Sequence, residues 1–185
     1  MLSAKVEASE ARVYTFDFRA FGMLHLTPNQ DTARLLNRDD RPSLALTQAM
    51  LYQPGYSYPP KQTDFKSALD FLAIPLERIL WVYGGNPGPA RGVDFELRRL
   101  YVLFNDHYLR GDIKMAPGMR FSDYFATSAA DKPFQIIYDA RLYAGLPDKK
   151  KTEGEGLEHF DFVTLNLRNA GGIFDVQTEE QDEDG

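Results

Sequence analysis

Apolar runs bounded by turn residues recur along the chain, and the first of them nearly alternates apolar with polar positions, the spacing of a strand that buries one face. Residues 13–21, VYTFDFRAF, are aromatic and β-branched with near-alternation and predict a strand. Gly22 follows, then a short apolar run to Leu26 and a turn at Pro28. Asp31 or Thr32 stands where it caps a short helix carrying Leu35 and Leu36. Residues 44–52, LALTQAMLY, are apolar enough for a buried strand. Residues 53–60, QPGYSYPP, cannot continue a ladder and predict a loop. Residues 70–76 and 78–83 read as two further strands bent near Pro75, and residues 84–89, GGNPGP, read as a linker.

The same order returns after the linker. Val13, Gly22, Leu24, Leu26 and Pro28 match Val102, Gly111, Ile113, Met115 and Pro117 at a constant spacing of 89. Leu35 and Leu36 fall on Tyr124 and Phe125 of a second short amphipathic helix. At a spacing of 91, Leu46, Ala49 and Tyr52 match Ile137, Ala140 and Tyr143, and residues 70–76 match 161–167. Three further insertions then set Ile79 and Val82 on Ile173 and Val176. A Gly, a Pro and a series of apolar positions in constant order predict a tandem duplication. The competing reading is one barrel of roughly eight to ten strands whose halves share turn chemistry.

The duplication divides the chain into an N-terminal arm at 1–11, a first unit at 12–83, a linker at 84–90, a second unit at 91–176 and a tail at 177–185. Units of about 75 residues lie near the lower limit for independent folding, so the two are expected to pack together or share sheet edges.

Composition changes this picture in three places. The chain of 185 residues is 43% hydrophobic and 13% aromatic, ample for a core. It has no cysteine, which excludes disulfides, thiolate zinc sites and thiol catalysis. No apolar run reaches the roughly 18 residues that cross a bilayer, and the first residues lack the apolar stretch of a secretory signal, so a cytoplasmic location is the default expectation. Of the formal charge of −6, the tail QTEEQDEDG supplies five acids, Glu179, Glu180, Asp182, Glu183 and Asp184, and the body is close to neutral. Such a tail is expected to be solvated, or to compete with an anionic ligand for a basic surface.

The strand pair at 100–113 with Gly111 at its bend, the strand FQIIYDA at 134–140 ending in Asp-Ala, and the closing pair at 160–167 and 172–176 together resemble a small SH3-like barrel of the Sm-like type. The Gly-x-Ile, Arg-Phe-Ser-Asp-Tyr, Asp-Ala-Arg order also resembles an uncharacterised bacterial family of such barrels. The resemblance covers about 75 residues strongly and the first unit weakly. It implies a mainly β fold of two tandem five-stranded small barrels, each with a short inserted helix and bent at the structural glycines Gly22 and Gly111. It also implies edge-to-edge association, of which a trimer forming a pseudo-hexamer is one such outcome. The residues by which Sm-like proteins read RNA are not matched. Lys132-Pro133 stands in place of the Asn before the Asp-Ala strand, and Arg168-Asn169-Ala170 in place of the Arg-Gly pair.

Candidate chemistry is sparse. His25, His107 and His159 are isolated, and no second ligand stands at metal spacing from any of them. The glycines at 84–88 lack the Lys-Ser/Thr context of a phosphate loop. Asp139 with Arg141, and Asp123 with Arg120, read as a carboxylate–guanidinium site or, more simply, as caps and cross-strand pairs. Asp70 and Asp161 occupy matching positions and predict a repeated role such as capping a hairpin loop. Arg110-Gly111-Asp112 spells an adhesion tripeptide, but at a strand bend. The candidate partner-binding residues are Tyr52, Tyr56 and Tyr58 on a proline-stiffened loop, and Lys149, Lys150 and Lys151 at the tip of the matching loop. No cofactor and no metal are expected.

The expected function is therefore a non-catalytic scaffold or adaptor that self-assembles or docks another protein. The second expectation is a regulator that binds RNA or another single strand, with the acidic tail as competitor. An enzyme ranks third, since its groups would have to meet across the two units.

Overall fold

The computed structural model describes residues 6–28, 30–53, 67–88, 94–105, 107–147 and 156–175. Its strands are β1 (Glu7–Thr15), β2 (Arg19–Leu26), β3 (Ser43–Tyr52), β4 (Ser67–Pro75), β5 (Ile79–Gly84), β6 (Glu96–Phe104), β7 (His107–Met115), β8 (Phe134–Ala144), β9 (Glu158–Asn166) and β10 (Gly172–Asp175). Helix α1 (Thr32–Leu36) lies between β2 and β3, and α2 (Phe121–Asp131) between β7 and β8. Single 3-10 turns, Leu76–Arg78 and Leu167–Asn169, follow β4 and β9.

All ten strands join one antiparallel sheet in the order β10-β6-β7-β8-β9-β5-β1-β2-β3-β4. The mainly β expectation is met, but two closed five-stranded barrels are not formed, because the sheet is open. The reason lies in β5, which pairs with β1 on one side and with β9 on the other. Each half nevertheless has the same internal order, last strand first: β5-β1-β2-β3-β4 and β10-β6-β7-β8-β9.

The matched glycines explain why the halves bend alike. Gly22 and Gly111 each stand opposite two residues of the neighbouring strand, since the register shifts between Phe21 and Met23 and between Arg110 and Asp112. The extra residues, Gln48 and Asp139, take positive φ of 50° and 44°. These are β-bulges at corresponding places, and a bulge turns the strand and raises its twist. A Cβ on Gly22 would meet Leu46, Thr47 and Ala49, and one on Gly111 would meet Ile137, Tyr138 and Ala140. The two sets of neighbours correspond residue for residue.

Each half has its own core. Val13, Leu24, Leu35, Leu46 and Ile74 gather in the first, and Val102, Ile113, Ile137 and Val163 in the second. The cores exchange members at the junction: Tyr14, Leu80 and Trp81 pack into the second, and Phe134 into the first. The helices add side chains to these cores, Leu35 and Leu36 of α1 to the first and Tyr124 of α2 to the second. Asp31 caps α1 by accepting from the Arg34 backbone N–H, as expected.

Several local expectations give way. The predicted strand at 13–21 is two strands, split by a tight turn in which Thr15 Oγ1 donates to Phe18 O at 2.7 Å and accepts from its N–H. The predicted arm joins the sheet from Glu7 onward. Asp70 and Asp161 lie exposed within β4 and β9 rather than capping a loop. The start of the linker packs on α1, where the buried Thr32 donates its backbone N–H to Asn86 O at 3.1 Å and its hydroxyl to Gly84 O at 3.2 Å. Among the described residues, no helix is long and apolar enough to cross a membrane.

Candidate interaction site at the sheet edges

The junction of the halves is a short antiparallel seam in which Trp81 faces Leu165 and Val82 faces Thr164. Side chains reinforce it where the ladder ends. Asn166 Nδ2 donates across it to Leu76 O at 3.2 Å and Ile79 O at 3.1 Å. Asn169 Nδ2 donates to Glu77 O at 2.9 Å and Ile79 O at 2.7 Å. Asn37 pairs with the Phe134 backbone in both directions, donating at 2.7 Å and accepting at 3.0 Å. These bonds add side-chain partners to backbone groups at the ends of elements, where the ladder stops.

At the other end of the seam, Glu158 accepts from Tyr14 Oη at 2.6 Å and from Arg19 Nη1 at 3.2 Å. Tyr14 stacks on Trp81 with ring centroids 4.6 Å apart, and the Arg19 guanidinium lies over the Tyr14 ring at 4.9 Å. A cleft of about 290 Å³ opens here, lined among others by Phe16, Trp81, Phe104 and His107. A second, of about 390 Å³, lies by the asparagines and mixes Arg38, Arg41 and Arg168 with Asp39, Glu77 and Asp131.

Burial, and then the Glu158 carboxylate, push the Tyr14 hydroxyl far above its ordinary value; burial pushes Tyr124 up to about 12. Both tyrosines hold their protons more tightly folded than unfolded, where the value is about 10. Their contribution is therefore intact below that pH and is lost as pH rises above it. Denaturant unfolding is expected to show stability falling above about pH 10, with a shallower fall in Tyr14→Phe; an equally steep fall would remove Tyr14 from the account.

The outer edges of the sheet repeat the two strands that meet at this seam. Val13 pairs with Val82 as Val102 pairs with Ile173, and Arg12 with Tyr83 as Tyr101 with Phe174. The spacing of 91 thus continues to the last strand, which corrects the expected match of Ile79 and Val82 to Ile173 and Val176. Consequently β4 corresponds to β9, and β10 to β5. Among the described strands β4 pairs only with β3, and β10 only with β6.

Exposure follows from this. Thr164 is buried in the seam, whereas its counterpart Ala73 is exposed. Val82 is buried, whereas Ile173 is half-buried. Phe162 lies 6.3 Å from Tyr83 across the seam, while its counterpart Phe71 on β4 is 61% exposed. Phe174, the counterpart of Tyr83, is half-buried on β10 and stacks on Tyr101 at 5.3 Å.

The residues singled out from sequence scatter. Gly22 and Gly111 sit at the bulges. Tyr52 is 1% exposed at the end of β3, a core side chain and not a contact surface. Tyr56, Tyr58, Lys149, Lys150, Lys151 and the acidic tail lie outside the described residues. His159 bonds Asp139 at 2.7 Å, and His25 bonds Thr47 at 2.8 Å. No group of three metal-binding side chains occurs among the described residues. Asp139 and Arg141 form a long pair at 3.8 Å. Burial pulls the Asp139 carboxyl upward, but His159, Arg141 and Arg99 outweigh it and hold it below the usual range. Asp123 sits in the first turn of α2, where a carboxylate suits the helix dipole. Arg168 donates to Ala130 O at 2.9 Å, and Asn169 is committed to the seam. Sequence reasoning missed Asn37, Asn166, Asn169 and Glu158.

No family model, curated protein or solved structure matches the chain.

Proposed function

We propose that the chain is a non-catalytic assembly module that joins copies of itself edge to edge, β10 of one copy lying against β4 of the next. The observation that carries this reading is the internal seam, where the counterparts of these two edges already pair. Carried over by the spacing of 91, the register places Gly172 opposite Ile74 and Ile173 opposite Ala73. Phe174 then approaches Phe71 as Tyr83 approaches Phe162. An unpaired strand edge is a template for another strand, and this contact hides a phenylalanine that otherwise stands in water.

Such a contact is heterologous: each copy offers one edge and receives on the other. Repetition closes a ring if the rotation permits and otherwise gives a filament. A trimer, with six half-sheets around the ring, is the expected closed form, and the resemblance to Sm-like barrels agrees with it. The resulting surface would serve as a scaffold for protein partners. The nucleic-acid reading has weaker support, since the arginines of the larger cleft are matched by acids.

Sedimentation over a wide concentration range tests the proposal. Mass is expected to rise with concentration, and Phe71→Lys, which sets a charge in the contact, is expected to abolish the rise. A monomer at the highest concentration reached would overturn it.

A further inference from the structure

The outer edge departs from the internal seam at one telling position. Asn166, 3% exposed, ends β9 and donates two hydrogen bonds across the seam. Its counterpart at the end of β4 is Pro75, which has no donor on side chain or backbone.

The backbone is otherwise alike. Both residues precede a single 3-10 turn, with φ −55°, ψ 135° at Pro75 and φ −87°, ψ 100° at Asn166. Both turns are tied down by the same bond: Leu76 N–H donates to Pro42 O at 3.0 Å, and Leu167 N–H to Pro133 O at 2.9 Å. Counting on by 91, the carbonyls that a donor at position 75 would reach in the next copy are those of Leu167 and Ala170. The second seam asparagine is also missing, since Arg78 stands at the place of Asn169 and is engaged by Asp17 of its own half. Its neighbour in the next copy would be Arg168, where the internal seam has Glu77.

We infer that Pro75 is a brake on assembly: it leaves the copy-to-copy seam without the clamp that fastens the internal one, so that copies join and separate reversibly while each chain stays intact. This rests on the edge-pairing reading above. It also fits the use of proline on exposed edges to limit uncontrolled strand addition.

The test is to release the brake. Pro75→Asn, with Pro75→Ala as the control for loss of the ring alone, is compared with the unmodified chain by sedimentation equilibrium. Thermal unfolding checks that each variant folds, and Pro75→Ser, with one hydroxyl donor, is read in the same way should the asparagine variant not fold. Pro75→Asn is expected to raise the association constant at least tenfold over Pro75→Ala, a difference of about 1.4 kcal/mol. Adding Phe71→Lys should cancel the gain, placing it at β4. If the unmodified chain associates and Pro75→Asn is no tighter than Pro75→Ala, the brake is overturned and edge pairing stands. If no form associates, edge pairing itself fails and the brake with it. If Pro75→Asn alone associates, the unmodified chain does not assemble, and the reversible association inferred for it falls together with the proposed function.

Discussion

Gly111→Ala is expected to destabilise the chain by about 3 kcal/mol, and Gly22→Ala by about 1 kcal/mol, the range in which overpacked cores fall. The difference comes from what the added methyl meets. At Gly111 it would lie 2.4 Å from Ile137 Cγ2 and 2.9 Å from Tyr138 O. Ile137 is fully buried and β-branched, so its methyl has nowhere to swing, and the carbonyl belongs to a bulge already at positive φ in the next residue. At Gly22 the nearest atom is Thr47 O at 3.0 Å, followed by Ala49 and Leu46 at 3.2 Å. A few tenths of an ångström of adjustment relieve those contacts. Urea unfolding of the two variants beside the parent measures both. Equal costs, or a smaller cost at Gly111, would mean that the bulges flex and that strand curvature does not depend on the missing Cβ.

The close approach at these glycines also explains what was legible beforehand. A bend that admits no side chain leaves a Gly at the same place in each copy, and a turn leaves a Pro, so Gly22, Pro28 and their counterparts announce the duplication even where the apolar residues between them have drifted. Local turn chemistry was harder to see at residues 16–18. Phe16 and Phe18 keep the run aromatic straight through the β1–β2 turn, where Thr15 organises the chain through its own side chain. Alternation alone therefore merged two strands into one. The missed insertion-free register at the end of the chain has a similar origin. Ile79 and Ile173 look alike, but strand pairing sets Val82 against Ile173.

Closure was not legible at all. Whether five curled strands close on themselves or continue into a neighbour is decided by which edge β5 meets, a contact between residues more than eighty positions apart that leaves no short-range signature. Nor did composition single out the seam. Asn166 and Asn169 are ordinary polar residues in sequence, and only their place opposite carbonyls of the other half gives them weight. One trace did exist: aligning residues 70–76 with 161–167 sets Pro75 against Asn166, a mismatch inside a closely matched run. The tyrosines at 52–58 and the lysines at 149–151 are recognisable by residue type alone, whereas an unpaired strand edge consists of backbone groups that every residue has.

Asn166→Ala tests the internal seam as Pro75→Asn tests the outer one, with the opposite sign. The substitution removes hydrogen bonds to the buried Ile79 carbonyl and the part-buried Leu76 carbonyl, and the acceptor for the Arg168 backbone N–H at 3.2 Å. Ile79 O keeps its bond from Asn169 and Leu76 O its bond from the Ile79 backbone N–H, while the Arg168 N–H loses its side-chain acceptor. With about 1 kcal/mol for each of the three bonds lost, the expected cost is about 3 kcal/mol. Its form is as informative as its size. Each half has its own apolar cluster, and the seam's ladder, the asparagines and the few exchanged side chains couple them. Weakening that coupling is expected to turn one cooperative unfolding transition into two, resolved when Trp81 fluorescence, reporting the junction, is compared with backbone circular dichroism. Trp81 is the chain's single tryptophan, so the optical signal belongs to the seam alone. A single transition of unchanged midpoint would show that the packing of Tyr14, Trp81 and Phe134 joins the halves without the asparagine. Pro75 would then have no clamp to lack, and the outer edge would have to be weak for another reason.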